Sequence, residues 1–213
     1  MLEDRPLIRD LISFAVAHLH VLDIEPELTV SPYVQVDQLD AFDDEFTLNL
    51  PTYVRDIYAE SDGFEFSWRS DDDWGDFAFP ALYELRLHRQ RWVNGRMPDE
   101  RSAAHLDGDF ANVLANMRSW LPFDESGGGD LMCLDCSNGR VLEFDHELDG
   151  LDERNGLVYA NDLREYIQNC ARTCFHDVWL ARPKKVSRNG DYSIDWASVR
   201  VQPKYVVGDS NAT

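Results

Sequence analysis

Residues 120–135 read WLPFDESGGGDLMCLD and combine two apolar segments with three consecutive glycines. The apolar segments have the length and composition of strands, and glycine supplies the positive φ that a tight turn requires. Asp130 follows the glycines, where its carboxylate can accept hydrogen bonds from turn N–H groups. A phosphate-binding loop would need a following Lys and Ser or Thr, and Asp130-Leu131 stands there instead. The stretch therefore predicts a strand, a glycine turn and a second strand.

On either side of this hairpin, the spacing of apolar residues predicts helices and short strands. Helical patterns cover residues 4–20, 36–46, 51–63, 81–91, 110–120 and 162–175. Strand patterns cover residues 64–68, 140–144 and 157–159. Charged or polar segments at 71–76, 94–109 and 145–154 are predicted loops. After residue 175, the alternation of Tyr192, Ile194 and Trp196 predicts a C-terminal hairpin.

The chain is strongly acidic, with 20 basic and 40 acidic side chains and a net charge of −20. Residues 181–213 carry +3, so residues 1–180 carry −23. Such a field repels nucleic acid and attracts basic proteins, although a role in solubility alone stays open. No apolar run reaches the ~18 residues that span a bilayer, and the N-terminus lacks a signal-peptide pattern. We therefore predict a soluble, cytoplasmic protein with a protein partner and no nucleic-acid or membrane partner.

The cysteines give no clear chemical motif. They are Cys133, Cys136, Cys170 and Cys174. We predict reduced thiols in the core, and the alternative is a structural zinc site made of four thiolates. Residues 145–150, DHELDG, are similar to the start of a calcium loop, but the twelfth position is Gly156, where a bidentate Glu is required. The sequence therefore predicts no catalytic residue, no metal and no cofactor.

The order of several short motifs resembles the SUKH superfamily, which includes the fungal Smi/Knr cell-wall regulators and many bacterial toxin-immunity proteins. The motifs are a short acidic helix, Leu50-Pro51, Asp62-Gly63, WLPF at 120–123, GGDLMCLD at 128–135 and ANDL at 160–163. The resemblance covers residues 36–175 and implies an α+β fold with a mainly antiparallel sheet packed by helices. Matching positions that we expect mainly to form the fold are Pro51, Gly63, Trp120, Gly129, Asp130 and Asp135.

Two segments depart from the family pattern, namely the polar insert at 94–109 and the tail after residue 175. We predict a SUKH-like domain at residues 1–176. Residues 177–213 are then a β-hairpin-like C-terminal extension whose last residues are frayed. Such an extension would cover or lengthen a sheet edge.

The resemblance implies a protein-binding role, in bacteria most often the neutralisation of a toxin, frequently a nuclease. We predict an immunity protein, not an enzyme, that binds a basic toxin domain. A Smi/Knr-like regulatory scaffold is the alternative, and a zinc-binding or enzymatic protein is the third hypothesis. The predicted partner contacts are acidic residues of two loops and one apolar anchor: Asp71, Asp72, Asp73, Trp74, Asp76, Glu143, Asp145, Glu147, Asp149, Asp152 and Glu153. For each carboxylate the alternative is a merely solvated surface.

Overall fold

The computed structural model describes residues 5–71, 73–97, 116–126, 129–146 and 156–176, and the backbone of 183–185 and 192–194. The helices are α1 (Pro6–Val21), α2 (Val36–Phe46), α3 (Thr52–Glu60), α4 (Leu82–Arg91) and α5 (Leu163–Arg172), and a π-helical turn, Trp92–Arg96, continues α4. The strands are β1 (Glu27–Val30), β2 (Phe64–Arg69), β3 (Trp74–Phe79), β4 (Trp120–Glu125), β5 (Leu131–Asp135), β6 (Val141–Phe144), β7 (Leu157–Ala160), β8 (Pro183–Lys185) and β9 (Tyr192–Ile194).

All strand pairing among the described residues is antiparallel, which confirms the predicted α+β class. Strands β1-β2-β3 form one sheet, and β4-β5-β6-β7 form a second. The predicted hairpin at residues 120–135 is the β4–β5 pair, closed by a hydrogen bond from the Ser126 N–H to the Asp130 carbonyl oxygen at 2.9 Å. Strands β8 and β9 pair with each other, and β9 lies beside β7 at the edge of the second sheet.

Helix α1 is amphipathic, as its sequence predicts, and its start is fixed by α3. Its buried residues recur at three- and four-residue spacing: Ile8, Leu11, Ile12, Ala15 and Leu19. The Glu60 carboxylate accepts the N–H groups of Leu7 at 2.9 Å and Ile8 at 3.1 Å. These bonds satisfy two of the donors that a helix N-terminus leaves unpaired. An ion pair of 2.9 Å joins Asp10 to Arg164, so α1 is held against both α3 and α5.

One large hydrophobic core joins the inner faces of both sheets to the helices. Cys174 and Phe175, directly after α5, have φ values of 52° and 56°, and this turn brings Phe175 beneath the three-stranded sheet. The Phe175 ring lies 4.9 Å from that of Phe66 and 5.2 Å from that of Phe77. A smaller cluster covers the opposite face of the four-stranded sheet: Trp92, Met117, Trp120, Leu131, Cys133, Leu142 and Phe144. The four-stranded sheet is therefore buried on both faces, whereas the three-stranded sheet is exposed on one.

Several predicted boundaries are wrong. The predicted loop at 71–76 is confined to a turn ending at Asp73, because β3 begins at Trp74 and buries alternate residues in the core. The last helix ends at Arg172 and not at residue 175, because the left-handed turn follows it. Trp120 begins β4, as the predicted hairpin has it and not the overlapping helix predicted for 110–120, most of which lies outside the described residues. Strand β1 is an additional element, which forms by pairing with β2.

Among the helices that the structure describes, none combines the length and the apolar character needed to cross a bilayer. The longest of them, α1, has 16 residues and is amphipathic.

Candidate protein-binding surface

The exposed face of the three-stranded sheet carries a groove of about 570 Å³. The antiparallel register aligns Glu27, Ser67 and Asp76 in one row across the three strands, and it sets Arg69 opposite Trp74. Side chains one residue apart on a strand point to opposite faces, so these positions face outward while Phe66 and Phe77 fill the core. We call this surface the Trp74 groove and define it by Glu25, Glu27, Ser67, Arg69, Trp74 and Asp76.

Carboxylates dominate the charge of this face. Glu25, Glu27 and Asp76 line the groove, and Glu65 is exposed on the same face of β2. Among the described residues of this face, Arg69 is the one basic side chain. Charge complementarity steers encounter and excludes partners of like charge, so the groove suits a basic partner.

Trp74 is the large apolar group of the groove, with 58% of its surface exposed. Its indole ring makes no ring contact with another described residue, and the main-chain N–H of Trp74 donates to the Asp73 carboxylate at 3.0 Å. The next residue, Gly75, packs so tightly that a Cβ there would lie 2.4 Å from Trp68 Nε1 and 2.5 Å from the Cys174 carbonyl oxygen. This close approach anchors the strand from beneath while Trp74 stays in solvent.

The predicted acidic residues of the first loop separate into different environments. Asp76 lines the groove, and Asp71 is exposed in the adjacent turn. The Asp73 carboxylate contacts His176 Nε2 at 2.5 Å, and its main chain closes the turn by a 2.8 Å hydrogen bond from the Ser70 N–H. Asp73 therefore joins the turn before β3 to His176, in the segment that follows α5. Asp72 lies outside the described residues.

The second group of predicted contacts begins in β6 and extends beyond the described residues. Glu143 is half-buried and accepts a hydrogen bond from the Tyr159 hydroxyl. Burial raises the pKa of Glu143, and the bond from Tyr159 opposes that rise. Asp145 is half-buried at the end of β6. Glu147, Asp149, Asp152 and Glu153 lie outside the described residues.

Near the glycine turn, Asp130, Asp145 and His146 each bring one potential metal-ligand atom within 4.8 Å of the others. They form the one such set in the part of the chain that the structure describes. Asp130 Oδ1 already accepts the main-chain N–H of His146 at 3.2 Å and contacts its Nδ1 at 2.8 Å. The contact of Asp130 with His146 ties the glycine turn to the end of β6.

The positions matched to the family motifs lie at turns and strand ends. Asp135 is buried, and its carboxylate accepts bonds from Ser119 Oγ at 2.6 Å, from the N–H and Oγ of Ser137 at 2.9 and 2.6 Å, and from Asn138 Nδ2 at 2.7 Å. The Gly129 carbonyl oxygen accepts a bond from Arg96. These contacts organise the four-stranded sheet and the segment before it.

Two further motif positions lie at the ends of α3. The Pro51 carbonyl oxygen accepts the N–H of Val54 at 2.9 Å, where α3 begins. Gly63 has a φ of 82° and packs directly against the backbone between β3 and α4. Both positions therefore shape the backbone around α3.

A comparison with protein-family models finds a match to the SMI1 / KNR4 family (SUKH-1) over residues 34–169. The chain belongs to this family. No curated protein matches the chain. The SUKH-1 match begins just before α2 and ends within α5, close to the 36–175 expected from the motifs.

Elements outside the matched range pack against the matched part of the chain. Strand β1 precedes residue 34, yet it pairs with β2 over four residues and contributes Glu27 to the Trp74 groove. Helix α1 also precedes the match and packs on α5. The candidate surface therefore combines residues inside and outside the family match.

The four thiols of the SUKH-1 domain do not converge. Cys133 lies in the small cluster behind the four-stranded sheet, while Cys170 and Cys174 lie in the large core. Burial raises the pKa of Cys136 to about 12 and that of Cys174 to about 11. A zinc-binding or nucleophilic thiol needs the opposite environment, one that favours the thiolate.

Asp124 is a half-buried carboxyl group of β4. It lies at the irregularity in the β4–β5 pairing, and burial raises its pKa to about 6. A hydrogen bond from the Glu125 N–H opposes the rise, and the charge of Asp76 adds to it.

The sequence predicted Trp74 and Asp76 as contacts but missed Glu25, Glu27, Glu65 and Arg69. The exposed positions of β2 had a usable signal, because Glu65, Ser67 and Arg69 alternate with the predicted buried residues of that strand. Glu27 had none, since only its pairing with Ser67 brings it to the groove.

Proposed function

We propose that this chain is an immunity protein that neutralises a basic protein toxin by binding it through the Trp74 groove. The observation that carries the proposal is the lining of the groove, where three carboxylates lie on one face of the domain with the exposed Trp74 and a single cation, Arg69. SUKH-1 membership supports a binding role over a catalytic one. The domain would act in the cytoplasm as a non-enzymatic inhibitor.

The physical basis of recognition is an apolar anchor within a charged rim. Tryptophan is over-represented among residues that dominate binding energy, especially where surrounding groups exclude water. Trp74 would insert into a pocket of the toxin, while Glu27 and Asp76 would pair with its lysines or arginines. Asp71, in the adjacent turn, would extend the rim.

The charge of the whole chain supports the same partner. A net charge of −20 raises the rate at which a cationic domain encounters the protein, and this effect weakens as salt screens it. A nuclease domain, which must itself bind a polyanion, has the required positive surface. The remaining predicted contacts, Asp72, Glu143, Asp145, Glu147, Asp149, Asp152 and Glu153, would enlarge the acidic surface.

Co-expression with the product of the adjacent upstream reading frame tests the proposal. We expect that product to be toxic alone, to lose toxicity in the presence of this chain, and to form a one-to-one complex. Trp74→Ala should weaken the complex by about 30-fold or more, the range of an interface hot spot. Because Trp74 is exposed, the variant should unfold at the same temperature as the wild type.

Two double variants with the same change in net charge distinguish binding at the groove from attraction by the overall negative charge. Glu27→Lys/Asp76→Lys should abolish rescue, while Asp44→Lys/Asp56→Lys, at exposed positions on α2 and α3, should preserve it at 150 mM salt. If both variants lost binding equally, the groove would not be the site. The regulatory scaffold would be favoured if the product of the adjacent reading frame is not toxic and this chain forms a complex with another cellular protein.

A further inference from the structure

A second cluster of exposed aromatic residues lies away from the Trp74 groove, between α2 and the start of α4. Tyr33 is 60% exposed, and its side chain makes no hydrogen bond or ring contact within the part of the chain that the structure describes. Tyr83 is 62% exposed, and its hydroxyl donates to Glu84 Oε1 at 2.9 Å. Neither ring serves the core, and each leaves ring surface exposed to a ligand.

The two tyrosines line one pocket of about 330 Å³, together with Val34, Gln38 and Asp62. This volume is near the lower end of the range of about 300–1,000 Å³ that is typical of small-ligand sites. Both tyrosine side chains line this pocket, and no ring contact joins them. We call this site the Tyr33–Tyr83 pocket.

The charge of the pocket is set by Asp62. Its Oδ1 accepts the N–H of Leu82 at 2.6 Å, and its Oδ2 accepts no hydrogen bond from another described residue. Arg86 also lines the pocket, but its guanidinium is paired with Glu45. The pocket therefore offers one carboxylate oxygen and two aromatic faces, with its own cation already neutralised.

We propose that the Tyr33–Tyr83 pocket binds a lysine or arginine side chain of the protein partner. A cation is attracted to the negative face of an aromatic ring, and each exposed ring strengthens binding by about two- to fivefold. Asp62 would supply a charge-assisted hydrogen bond to the same group. The proposal deepens the proposed function, on which it rests only for the identity of the partner.

The pocket can be tested on the free protein with two small probes of nearly the same shape. N-acetyl-arginine amide carries the guanidinium, and N-acetyl-citrulline amide replaces it with a neutral urea group. In ¹H–¹⁵N spectra we expect arginine amide to shift the amide signals of Tyr33, Val34, Asp62 and Tyr83. The citrulline probe should bind at least fivefold more weakly. Equal binding of both probes, or shifts confined to the Trp74 groove, would overturn the proposal.

Matched variants distinguish the attraction of a cation to the aromatic rings from apolar contact with side chains of similar size. Tyr33→Leu keeps an apolar side chain but removes the ring, and it should weaken arginine amide two- to fivefold. Tyr33→Phe keeps the ring and should bind like the wild type. Unaltered binding in Tyr33→Leu/Tyr83→Leu would contradict the pocket.

Measuring the affinity of the toxin complex distinguishes failure of this proposal from failure of the proposed function. If Trp74→Ala breaks the complex while Tyr33→Leu/Tyr83→Leu leaves its affinity intact, the pocket fails and the function stands. If no neighbouring toxin is found but arginine amide binds as described, the function fails and the pocket stands.

Discussion

The indole nitrogen of Trp68 donates a 2.6 Å hydrogen bond to the main-chain carbonyl oxygen of Cys174, 106 positions later in the chain. The bond connects the end of β2 to the left-handed turn that follows α5. Gly75 packs against both partners from β3. The exposed Trp74 thus immediately precedes, in the chain, the glycine that packs against this contact between the sheet and the segment after α5.

Replacing Trp68 with Phe should destabilise the protein by about 1–3 kcal/mol or more, because the buried carbonyl oxygen of Cys174 loses its donor. Urea unfolding followed by circular dichroism measures the change. The same substitution at the exposed Trp74 is the control, and it should alter the free energy of unfolding by no more than about 0.5 kcal/mol. Equal effects at both positions would contradict the assigned role of the hydrogen bond.

Gly63 and Gly139 form a matched pair, with φ values of 82° and 83°. A Cβ at Gly139 would meet nothing within 4 Å, whereas at Gly63 it would lie 2.7 Å from the Phe79 carbonyl oxygen and 2.8 Å from the Ala81 nitrogen. Gly139→Ala should therefore cost only the left-handed conformation, about 1–2 kcal/mol. Gly63→Ala should cost about 1–3 kcal/mol more, because backbone must move. Thermal unfolding of both variants shows whether this difference exists.

Much of the fold follows from local pattern. The periodicity of Ile8, Leu11, Ile12, Ala15 and Leu19 predicts α1, and the glycine turn predicts the β4–β5 hairpin. Strand β3 was misassigned because Asp76 and Gly75 are typical of loops, although they occupy alternate faces of a strand whose inner residues fill the core. Charge alone does not distinguish a solvated loop from the outer face of a sheet.

The candidate sites were less accessible to sequence reasoning, because they combine residues that are distant along the chain. Glu27 and Asp76 lie in one row only because each is paired with Ser67 on the strand between them. Tyr33 and Tyr83 share a pocket because the turn after α3 brings Asp62 to the start of α4. No local pattern encodes either pairing.

Arg89 is the buried cation of α4, and its guanidinium donates to the Trp120 carbonyl oxygen at 2.7 Å and to that of Arg118 at 2.6 Å. Burial lowers the pKa of Arg89, and the two carbonyl oxygens compensate the buried charge. Arg89→Lys should cost about 2–3 kcal/mol, because one ammonium group cannot reproduce the forked contact. Chemical unfolding should show almost no change for Arg86→Lys, whose guanidinium is half-exposed and paired with Glu45.

Asp124 should make the protein less stable as pH rises from about 4 to 7. Its pKa is about 6 in the folded protein, compared with the ordinary value of 3.8 that applies to the unfolded chain. The folded protein therefore binds the proton more tightly. The resulting stabilisation is present in full below the unfolded pKa and is lost as pH rises through about 6. Asp124→Asn should therefore be more stable than the wild type at pH 7.5 by about 1–3 kcal/mol.

The check is the difference in unfolding free energy between variant and wild type, measured at several pH values. The other carboxylates are the same in both proteins, so their contributions cancel in this difference. The difference should increase only between pH 4 and 7. A pH-independent difference for Asp124→Asn would mean that this carboxyl group titrates normally.

The thiols should react slowly in the native protein. Cys133, Cys170 and Cys174 are buried, and burial raises the pKa of the half-buried Cys136 to about 12, so little thiolate is present at pH 8. We expect Ellman's reagent to modify all four thiols rapidly only in guanidinium chloride. Rapid native reaction of all four, or about one equivalent of bound zinc in purified protein, would contradict this arrangement.

The two sheets differ in how freely their residues can change during evolution. Every residue of β5 is buried, so substitutions there alter packing. On β1, β2 and β3, the outward positions Glu27, Glu65, Ser67, Arg69, Trp74 and Asp76 alternate with the residues that hold the core. A lineage can therefore replace the outer set while the inner set keeps the domain folded. Under the proposed function, such replacements would change the partner without disturbing the packing of the core.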